Sequence, residues 1–274
     1  MEPLLKGAIQ LVTTIIFDLD DTLLWDKKSI QTAFDKTCAY AATKYDALEP
    51  EAFEEAARAI AREIYQEYET YDNTVKIGIN PFEGLWGIFN DEGEMFQKMF
   101  QLMPDYQQRV WTLALKEFNI DDAAFGEELA KRFREERLQA PTLYKDTFDV
   151  LDTFKEKGYR MIMLTNGSPS LQNTKLELTP ELVPYFEHIV ISGDFGIGKP
   201  DASIFEHVLE IADITADEAL MVGDNLMTDI LGSSRVNMRN VWINRDDAEM
   251  TAEVAPTYEV KSLTELVTLV ESLA

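Results

Sequence analysis

From about residue 141 onwards, short apolar runs alternate with helical segments, and this alternation constrains the fold of the chain more than any other feature. Strand-like runs occupy residues 160–164, 189–191, 220–222, 240–243 and 258–260. Helical segments cover residues 147–157, a stretch opening at Ser168-Pro169, 202–212, 229–236, and a last helix opening with the capping-box pair Ser262 and Glu265. Strands that alternate with helices need crossover connections, which place the strands in one parallel sheet. This region therefore predicts an α/β fold with helices on both faces of the sheet.

One further strand is predicted far ahead of the others. Residues 13–17 form a β-branched and aromatic run that is typical of a buried parallel strand. The residues that follow it show helical periodicity, in segments 29–45, 50–70, 92–118 and 122–138, with a loop near 79–81. We therefore predict a doubly wound α/β core built from residues 1–26 and 142–274. An α-helical domain of residues 27–141 is inserted after its first strand.

The balance of charges narrows the range of partners. The 274 residues include 50 acidic and 25 basic side chains, a formal net charge of −25. Nucleic acid polymers avoid such a surface, because their binding depends on the neutralisation of phosphates by Lys and Arg. The sequence has no apolar run of membrane-spanning length, residues 1–12 do not resemble an export signal, and the single cysteine, Cys38, cannot form an internal disulfide. We expect a cytoplasmic protein that binds neither nucleic acid polymers nor membranes.

Polar residues follow four of the predicted strands or lie in the loops beyond them. They are Asp18 and Asp20, Thr165 and Asn166, Lys199, and Asp224 with Asp229. Open α/β sheets bind ligands at the carboxyl ends of their strands, so these groups should converge there. Several carboxylates in one crevice repel one another unless a cation offsets their charge. Oxygen ligands suit Mg²⁺, and the sequence has no cluster of His and Cys that would indicate zinc.

Asp18 and Asp20 are two residues apart on a segment that leaves a strand. Such a pair can combine a nucleophile that faces phosphorus with a general acid/base that reaches over from the turn. The Thr165 hydroxyl and the backbone amides after it are candidates to bind phosphoryl oxygens, and Lys199 offers a positive charge. Asp229 is either a further member of the site or the cap of the helix that follows it, and both interpretations stay open at this point.

These residues stand in four motifs that resemble those of the haloacid dehalogenase (HAD) superfamily. The motifs are, in order, Asp18-Leu19-Asp20-Asp21-Thr22-Leu23, Leu164-Thr165-Asn166-Gly167, Gly198-Lys199-Pro200-Asp201 and Gly223-Asp224-Asn225-Leu226-Met227-Thr228-Asp229. The resemblance covers the whole predicted core and implies a Rossmann-like sheet. The inserted helices resemble the family's helical cap of the first type, which closes over the active site.

The resemblance implies a role for each matching residue. Asp18 would be the nucleophile and a magnesium ligand, and Asp20 would be the general acid/base with its backbone carbonyl on the metal. Thr165, Asn166 and Lys199 would hold the phosphoryl group. Asp224 and Asp229 would be further ligands of the metal.

The aspartate at position 20 favours one branch of the superfamily. Dehalogenases release a halide that needs no proton, and that branch typically lacks an aspartate at the position of Asp20. We therefore expect Mg²⁺-dependent hydrolysis of a small phosphorylated metabolite, a nucleoside monophosphate or a sugar phosphate, through an aspartyl-phosphate. Two alternatives stay open. A phosphosugar mutase would depend on a bisphosphate activator, and a catalytically idle metal-binding regulatory module would turn over no phosphate ester.

Overall fold

The computed structural model describes residues 11–250 and 254–273. Residues 1–12, which do not resemble an export signal, lie mostly outside the described residues. The described residues form one six-stranded sheet in the order β3-β2-β1-β4-β5-β6, and all neighbouring strands are parallel. The strands are β1 (Thr14–Phe17), β2 (Arg160–Thr165), β3 (His188–Ile191), β4 (Ala219–Gly223), β5 (Arg239–Ile243) and β6 (Tyr258–Val260). The chain leaves β1 towards β2 on one side and returns to β4 on the other, which is the switch point where such sheets bind ligands.

Twelve α-helices connect or flank these strands in the described part of the chain. They are α1 (Asp26–Lys44), α2 (Pro50–Tyr65), α3 (Tyr71–Ile77), α4 (Pro81–Gly84), α5 (Glu94–Glu117), α6 (Ala123–Leu138), α7 (Thr147–Glu156), α8 (Pro169–Leu178), α9 (Ser192–Phe195), α10 (Ala202–Ala212), α11 (Leu231–Arg235) and α12 (Leu263–Ser272). None of them combines the length and the apolar character that crossing a membrane requires.

Helices cover both faces of the sheet. Alternate residues of β1 point to opposite faces, as the pleat of a strand requires. Ile15 and Phe17 pack in one apolar cluster with residues of α7 and α12, whereas Ile16 packs in another with residues of α10. All four residues of β1 are buried, which explains why its sequence is apolar without alternation. The predicted doubly wound α/β sheet is therefore confirmed.

The helices between β1 and β2 pack around an apolar core of their own. Its largest side chains are aromatic, and the ring of Trp111 in α5 lies 5.9 Å from that of Phe34 in α1 and 5.6 Å from that of Phe133 in α6. The lone Cys38 is buried in the same core. We call this block of α1–α6 the cap.

The middle of the cap differs from the prediction. One helix was expected over residues 50–70, but α2 ends at Tyr65, and the prediction misses α3 and α4. The start of α4 is fixed by a capping box, because the Asn80 side chain accepts hydrogen bonds from the amides of Phe82 and Glu83 at 2.9 and 3.0 Å. The Glu83 carboxylate accepts in return from the amide of Asn80 at 3.0 Å.

A second difference concerns the predicted helix over residues 229–236. A π-helical turn, Leu226–Ile230, precedes α11. Asn225 caps this turn, because its side chain accepts a hydrogen bond from the amide of Met227 at 2.9 Å. Asp229 lies inside the turn, so the interpretation of Asp229 as the cap of the helix is wrong.

Candidate active site

A cavity of about 360 Å³ lies between the carboxyl ends of the central strands and the cap. All seven residues that the sequence predicts for the site line it: Asp18, Asp20, Thr165, Asn166, Lys199, Asp224 and Asp229. The cap contributes further lining residues: Asp26, Lys27, Ile30, Gly78, Asn80, Phe82 and Glu83. The topology therefore brings the predicted groups together and closes the space above them with cap residues.

Asp18 follows β1 directly and is almost completely buried, with 7% of its surface exposed. Its amide donates to the carbonyl of Val222 at 2.9 Å, which extends the pairing between β1 and β4. One carboxylate oxygen accepts from the hydroxyl of Thr22 at 3.0 Å, and the other from Nζ of Lys199 at 2.6 Å. Burial raises the pKa of Asp18 to about 7 although Lys199 opposes this. The carboxylate is thus held at a defined place and is poorly solvated.

Lys199 is the centre of a cluster built only from the core, which we call the Lys199 cluster (Lys199, Asp18 and Asp229). Its Nζ lies 2.6 Å from Oδ1 of Asp18 and 2.7 Å from Oδ1 of Asp229, and it donates to the carbonyl of Leu164 at 2.8 Å. Burial lowers the pKa of Lys199, but the two carboxylates outweigh burial and raise the pKa above its usual range. Lys199 therefore stays charged beside the nucleophile candidate.

Asp224 and Asp229 complete an acidic group around Asp18. One carboxylate oxygen from each of these three residues lies within 4.8 Å of the others. Asp229 can approach because position 223 is glycine, where an added Cβ would lie 2.2 Å from its Oδ2. Burial and the charge of Asp18 raise the pKa of Asp224 to about 6, and burial also raises that of Asp229. Three oxygen donors with raised pKa values fit a hard divalent cation, which would offset their repulsion.

Thr165 and Asn166 follow β2 but serve different contacts. The Thr165 hydroxyl accepts a hydrogen bond from Nε2 of Gln172, so its own proton can point elsewhere. The Asn166 side chain accepts from the amide of Lys199 at 2.8 Å and donates to its carbonyl at 2.9 Å, which fixes the backbone of Lys199. The amide of Gly167 donates to the carbonyl of Ile77 at 3.1 Å, so it is not among the phosphate donors that we expected after Thr165.

Asp20 has a different environment from Asp18. Its Oδ2 accepts from Nζ of Lys175 at 2.8 Å and from Nε2 of Gln172 at 3.0 Å. Its Oδ1 is buried and has no hydrogen-bond partner among the described residues. Burial raises the pKa of Asp20, but Lys175 and the hydrogen bonds outweigh burial and lower the pKa below its usual value. The two oxygens of Asp20 are therefore not equivalent.

Lys175 belongs to a second buried group, which we call the Lys175 cluster (Lys175, Asp20, Glu83, Asp26 and Arg137). Besides Asp20, its Nζ contacts Oε1 of Glu83 at 3.0 Å and Oδ1 of Asp26 at 3.8 Å. Arg137 forms an ion pair with Asp26. Glu83 lies in α4 of the cap, and Asp26 and Arg137 lie in its first and last helices. This cluster therefore joins the acid/base candidate to the cap.

Sequence reasoning missed Gln172, Lys175 and Glu83, although two signals were present. Gln172 and Lys175 are three residues apart in α8 and are buried on the same face as Leu171 and Leu176. A polar pair inside an otherwise apolar helix face indicates buried partners. Glu83 stands three residues after Asn80, in the same capping pattern that the sequence shows at Ser262.

The cap docks on the core near these groups through backbone contacts. The carbonyls of Lys76 and Ile77, at the end of α3, accept from the amides of Gly198 and Gly167 at 2.9 and 3.1 Å. The next residue, Gly78, has φ +81°, and an added Cβ would lie 2.5 Å from the amide nitrogen of the Asn166 side chain. Only glycine allows both this backbone conformation and this close approach.

Comparisons with known proteins agree with this geometry. The family model "haloacid dehalogenase-like hydrolase" matches residues 12–237. Phosphoserine phosphatase from Thermus thermophilus is 31% identical over 252 residues, which are 92% of this chain and 96% of that protein. N-acylneuraminate-9-phosphatase from Rattus norvegicus is 32% identical over 184 residues, 66% of this chain and 73% of that protein.

A solved structure shows the same fold. The HAD-hydrolase YfnB from Bacillus subtilis, bound to magnesium, superposes with a TM-score of 0.66 at 21% identity over 95% of this chain and 99% of that one. The fold, the acidic cavity and the family model together define a hydrolase. The chain belongs to the haloacid dehalogenase-like hydrolases, as its four motifs indicate. Within that family it is a phosphoric monoester hydrolase, a phosphatase.

Proposed function

We propose that the protein is a Mg²⁺-dependent phosphatase that hydrolyses a small phosphate monoester through an aspartyl-phosphate on Asp18. The observation that carries this proposal is a pair of aspartates on one cavity, the buried Asp18 and the half-buried Asp20, each with its own lysine. Asp18, beside Lys199 and the acidic group, is suited to attack phosphorus. Asp20 lines the cavity with a carboxyl group that Lys175 and Gln172 hold in place, and it is suited to move protons.

The reaction has two steps. In the first, a carboxylate oxygen of Asp18 bonds to phosphorus while the bond from phosphorus to the leaving oxygen breaks, and Asp20 gives that oxygen a proton. In the second, water attacks the phosphorus of the acyl phosphate, Asp20 takes the proton of the water, and Asp18 is released with inorganic phosphate. Lys175 favours the ionised form of Asp20, which is the form that the second step needs. The Thr165 hydroxyl and Lys199 would hold the phosphoryl oxygens.

Asp18, Asp224 and Asp229 would hold the metal, with the backbone carbonyl of Asp20 as a further ligand. When bound, Mg²⁺ would neutralise the charge of the phosphoryl group and of the carboxylates around it. The raised pKa values of the three carboxylates support this assignment, because each is destabilised as an anion until a cation joins it.

The cavity supports a small metabolite as substrate. Its volume of about 360 Å³ is that of a pocket for a small molecule. The cap closes it with the apolar side chains of Ile30 and Phe82 and the polar side chain of Asn80. We propose a nucleoside monophosphate or a sugar phosphate, and the location in the cytoplasm stays a prediction from the sequence.

The experiment that tests the mechanism separates the two aspartates. Asp18→Asn should abolish activity on every ester by several orders of magnitude, because no other group replaces the nucleophile. Asp20→Asn should still react with a nitrophenyl ester, whose alcohol leaves without a proton, but should hydrolyse the intermediate slowly. Rapid mixing should show a burst of nitrophenol, and intact-protein mass spectrometry should show one added phosphoryl group on Asp18.

Asp201→Asn is the matched control, because Asp201 caps α10 through the amide of Ser203 at 3.0 Å and does not line the cavity. It should keep both activity and metal dependence. Chelation of Mg²⁺ should remove the activity of the wild type, and added Mg²⁺ should restore it. The mechanism is wrong if neither the wild type nor Asp20→Asn forms an adduct while Asp18→Asn remains active.

A further inference from the structure

Lys175 is a buried cation to which the mechanism above gives no contact with substrate. Only 2% of its side chain is exposed. Burial lowers the pKa of a lysine, but Asp20, Asp26 and Glu83 outweigh burial here and keep Lys175 charged. Burial of a charge costs free energy unless well-placed partners offset it, and the partners of Lys175 come from both the core and the cap.

The contacts of Lys175 distinguish the two oxygens of Asp20. Lys175 and Gln172 both donate to Oδ2, at 2.8 and 3.0 Å, and Oδ1 is left without a partner among the described residues. Two donors on one oxygen restrict rotation of the carboxyl group about its Cβ–Cγ bond. The carboxyl group that would exchange a proton with the leaving group or with water is therefore held in one orientation at the wall of the cavity.

The cap supplies the second anchor of Lys175. Oε1 of Glu83 lies 3.0 Å from Nζ of Lys175, nearly as close as Oδ2 of Asp20. The other oxygen of Glu83 accepts from the amide and the side chain of Asn80, both at 3.0 Å. Glu83 is therefore held rigidly by α4 and moves with it. Without Glu83, the four-carbon chain of Lys175 loses an anchor, and the conformational entropy of this long side chain opposes its ordered position.

We propose that Lys175 is a positioning residue that holds the carboxyl group of Asp20 in the orientation that proton transfer to the leaving oxygen needs, and that Glu83 makes this orientation depend on a docked cap. The inference rests on the proposed acid/base role of Asp20. Proton transfer then works best when the cap is in place, whereas attack by Asp18 does not need the Lys175 cluster, because the Lys199 cluster lies wholly in the core.

The test compares two esters in single-turnover experiments, an alkyl phosphate that needs protonation and a nitrophenyl phosphate that does not. In Lys175→Met and in Glu83→Gln, the rate of phosphoryl transfer from the alkyl ester should fall about tenfold or more, within the range of general acid catalysis. Transfer from the nitrophenyl ester should change less than about threefold, because it needs no proton. An unchanged ratio of the two rates in Lys175→Met overturns the proposal, and an unchanged ratio in Glu83→Gln overturns its dependence on the cap.

Asp91→Ala is the matched control for a loosened cap. Asp91 belongs to the cap and accepts hydrogen bonds from the amide and, at 2.6 Å, the hydroxyl of Ser170 in α8, but it does not contact the Lys175 cluster. The ratio of alkyl to nitrophenyl rates should stay that of the wild type. An equal fall of the ratio in this variant would show a general effect of cap docking and would overturn the specific role of Glu83.

A second variant guards against misfolding. Lys175→Met leaves three carboxylates with one cation, whereas Lys175→Met/Glu83→Gln removes one charge of each sign and keeps the net charge of the cluster. Replacement of a buried ion pair by neutral groups of similar volume is often tolerated. The double variant should unfold near the temperature of the wild type and still show the fall of the ratio. A wild-type ratio in this folded variant overturns the proposal.

A double-mutant cycle with Asp20→Asn separates positioning from a merely structural role. If Lys175 acts through Asp20, adding Lys175→Met to Asp20→Asn should change the alkyl rate by less than about twofold, because the shared function is already lost. Independent, multiplying losses overturn the proposal. If Asp20→Asn itself leaves the ratio unchanged, the proposed role of Asp20 fails and this inference with it. If Asp20→Asn lowers the ratio and Lys175→Met does not, only this inference fails.

Discussion

The two buried lysines beside the catalytic aspartate candidates are surrounded by carboxylates in different ways. Lys199 lies between Asp18 and Asp229, and the three groups that its Nζ contacts, these two carboxylates and the carbonyl of Leu164, all belong to the core. Lys175 lies between Asp20 in the core and Glu83 in the cap. The sheet and the loops of the core therefore build the surroundings of Asp18 on their own, whereas the surroundings of Asp20 are complete only when the cap is docked on the core.

Removal of Lys199 should have the largest effect. Lys199→Met leaves Asp18 and Asp229 without their buried cation, which should cost about 3–5 kcal/mol of unfolding free energy. Loss of the phosphoryl contact should lower kcat about 10²–10³-fold. Because Mg²⁺ would supply positive charge at the same carboxylates, it should raise the melting temperature of Lys199→Met more than that of the wild type.

Lys175→Met is the counterpart that tests this difference. Its carboxylates, Glu83 and Asp26, are not in the acidic group around Asp18, so Mg²⁺ should not recover its lost stability. Thermal unfolding of both variants with and without Mg²⁺ measures the contrast. An equal gain from Mg²⁺ in the two variants would contradict the separation of the clusters.

A fall in pH should protonate Asp18 and Asp224 before it protonates Asp20. Burial raises the pKa of Asp18 to about 7 and that of Asp224 to about 6, whereas Lys175 holds that of Asp20 below its usual value. Protons therefore compete with the metal at Asp18 and Asp224 as the pH falls. Calorimetric titration should show Mg²⁺ affinity falling about tenfold or more between about pH 8 and about pH 6. An affinity that does not change with pH over this window would contradict the metal assignment of these residues.

The smallest effect is expected at the cap contact of Asp91. The Asp91 side chain caps the first turn of α8 from the cap. Loss of such a contact costs about 0.5–2 kcal/mol, so Asp91→Ala should lower the free energy of unfolding in urea by about 1 kcal/mol. Single-turnover rates with the nitrophenyl ester should stay near those of the wild type. A loss of stability as large as that of Lys175→Met would show that the two cap contacts do not differ in kind.

The core of the molecule and its part of the site could be predicted from the sequence, whereas the part that the cap contributes could not. The sheet was predictable because buried parallel strands are continuously apolar and their ends carry the polar residues, as Phe17 and Asp18 show. The convergence of Asp18, Lys199 and Asp229 follows from the topology of such a sheet. These residues are separated in sequence, but the fold leaves them little freedom.

The cap side of the site could not be predicted in the same way. Glu83 approaches Lys175 because the capping box of α4 and the docking of α3 place it there. Neither feature produces a periodic pattern of apolar residues that could be recognised in the sequence. Asp229 remained a possible helix cap in the sequence because the helical pattern starts there, whereas the structure begins the turn at Leu226 and caps it with Asn225. Long-range ion pairs of this kind depend on tertiary geometry that local patterns do not encode.

The docking of α3 has a consequence for how such an enzyme could diversify. The contacts of Lys76 and Ile77 with Gly167 and Gly198 use carbonyls and amides, which every residue except proline retains. Exchange of a side chain in the cavity wall, such as Phe82, leaves these contacts intact. Evolution or protein engineering can therefore change the cap residues that line the cavity, and with them the metabolite that fits, while the docking of α3 and the groups on the core stay unchanged.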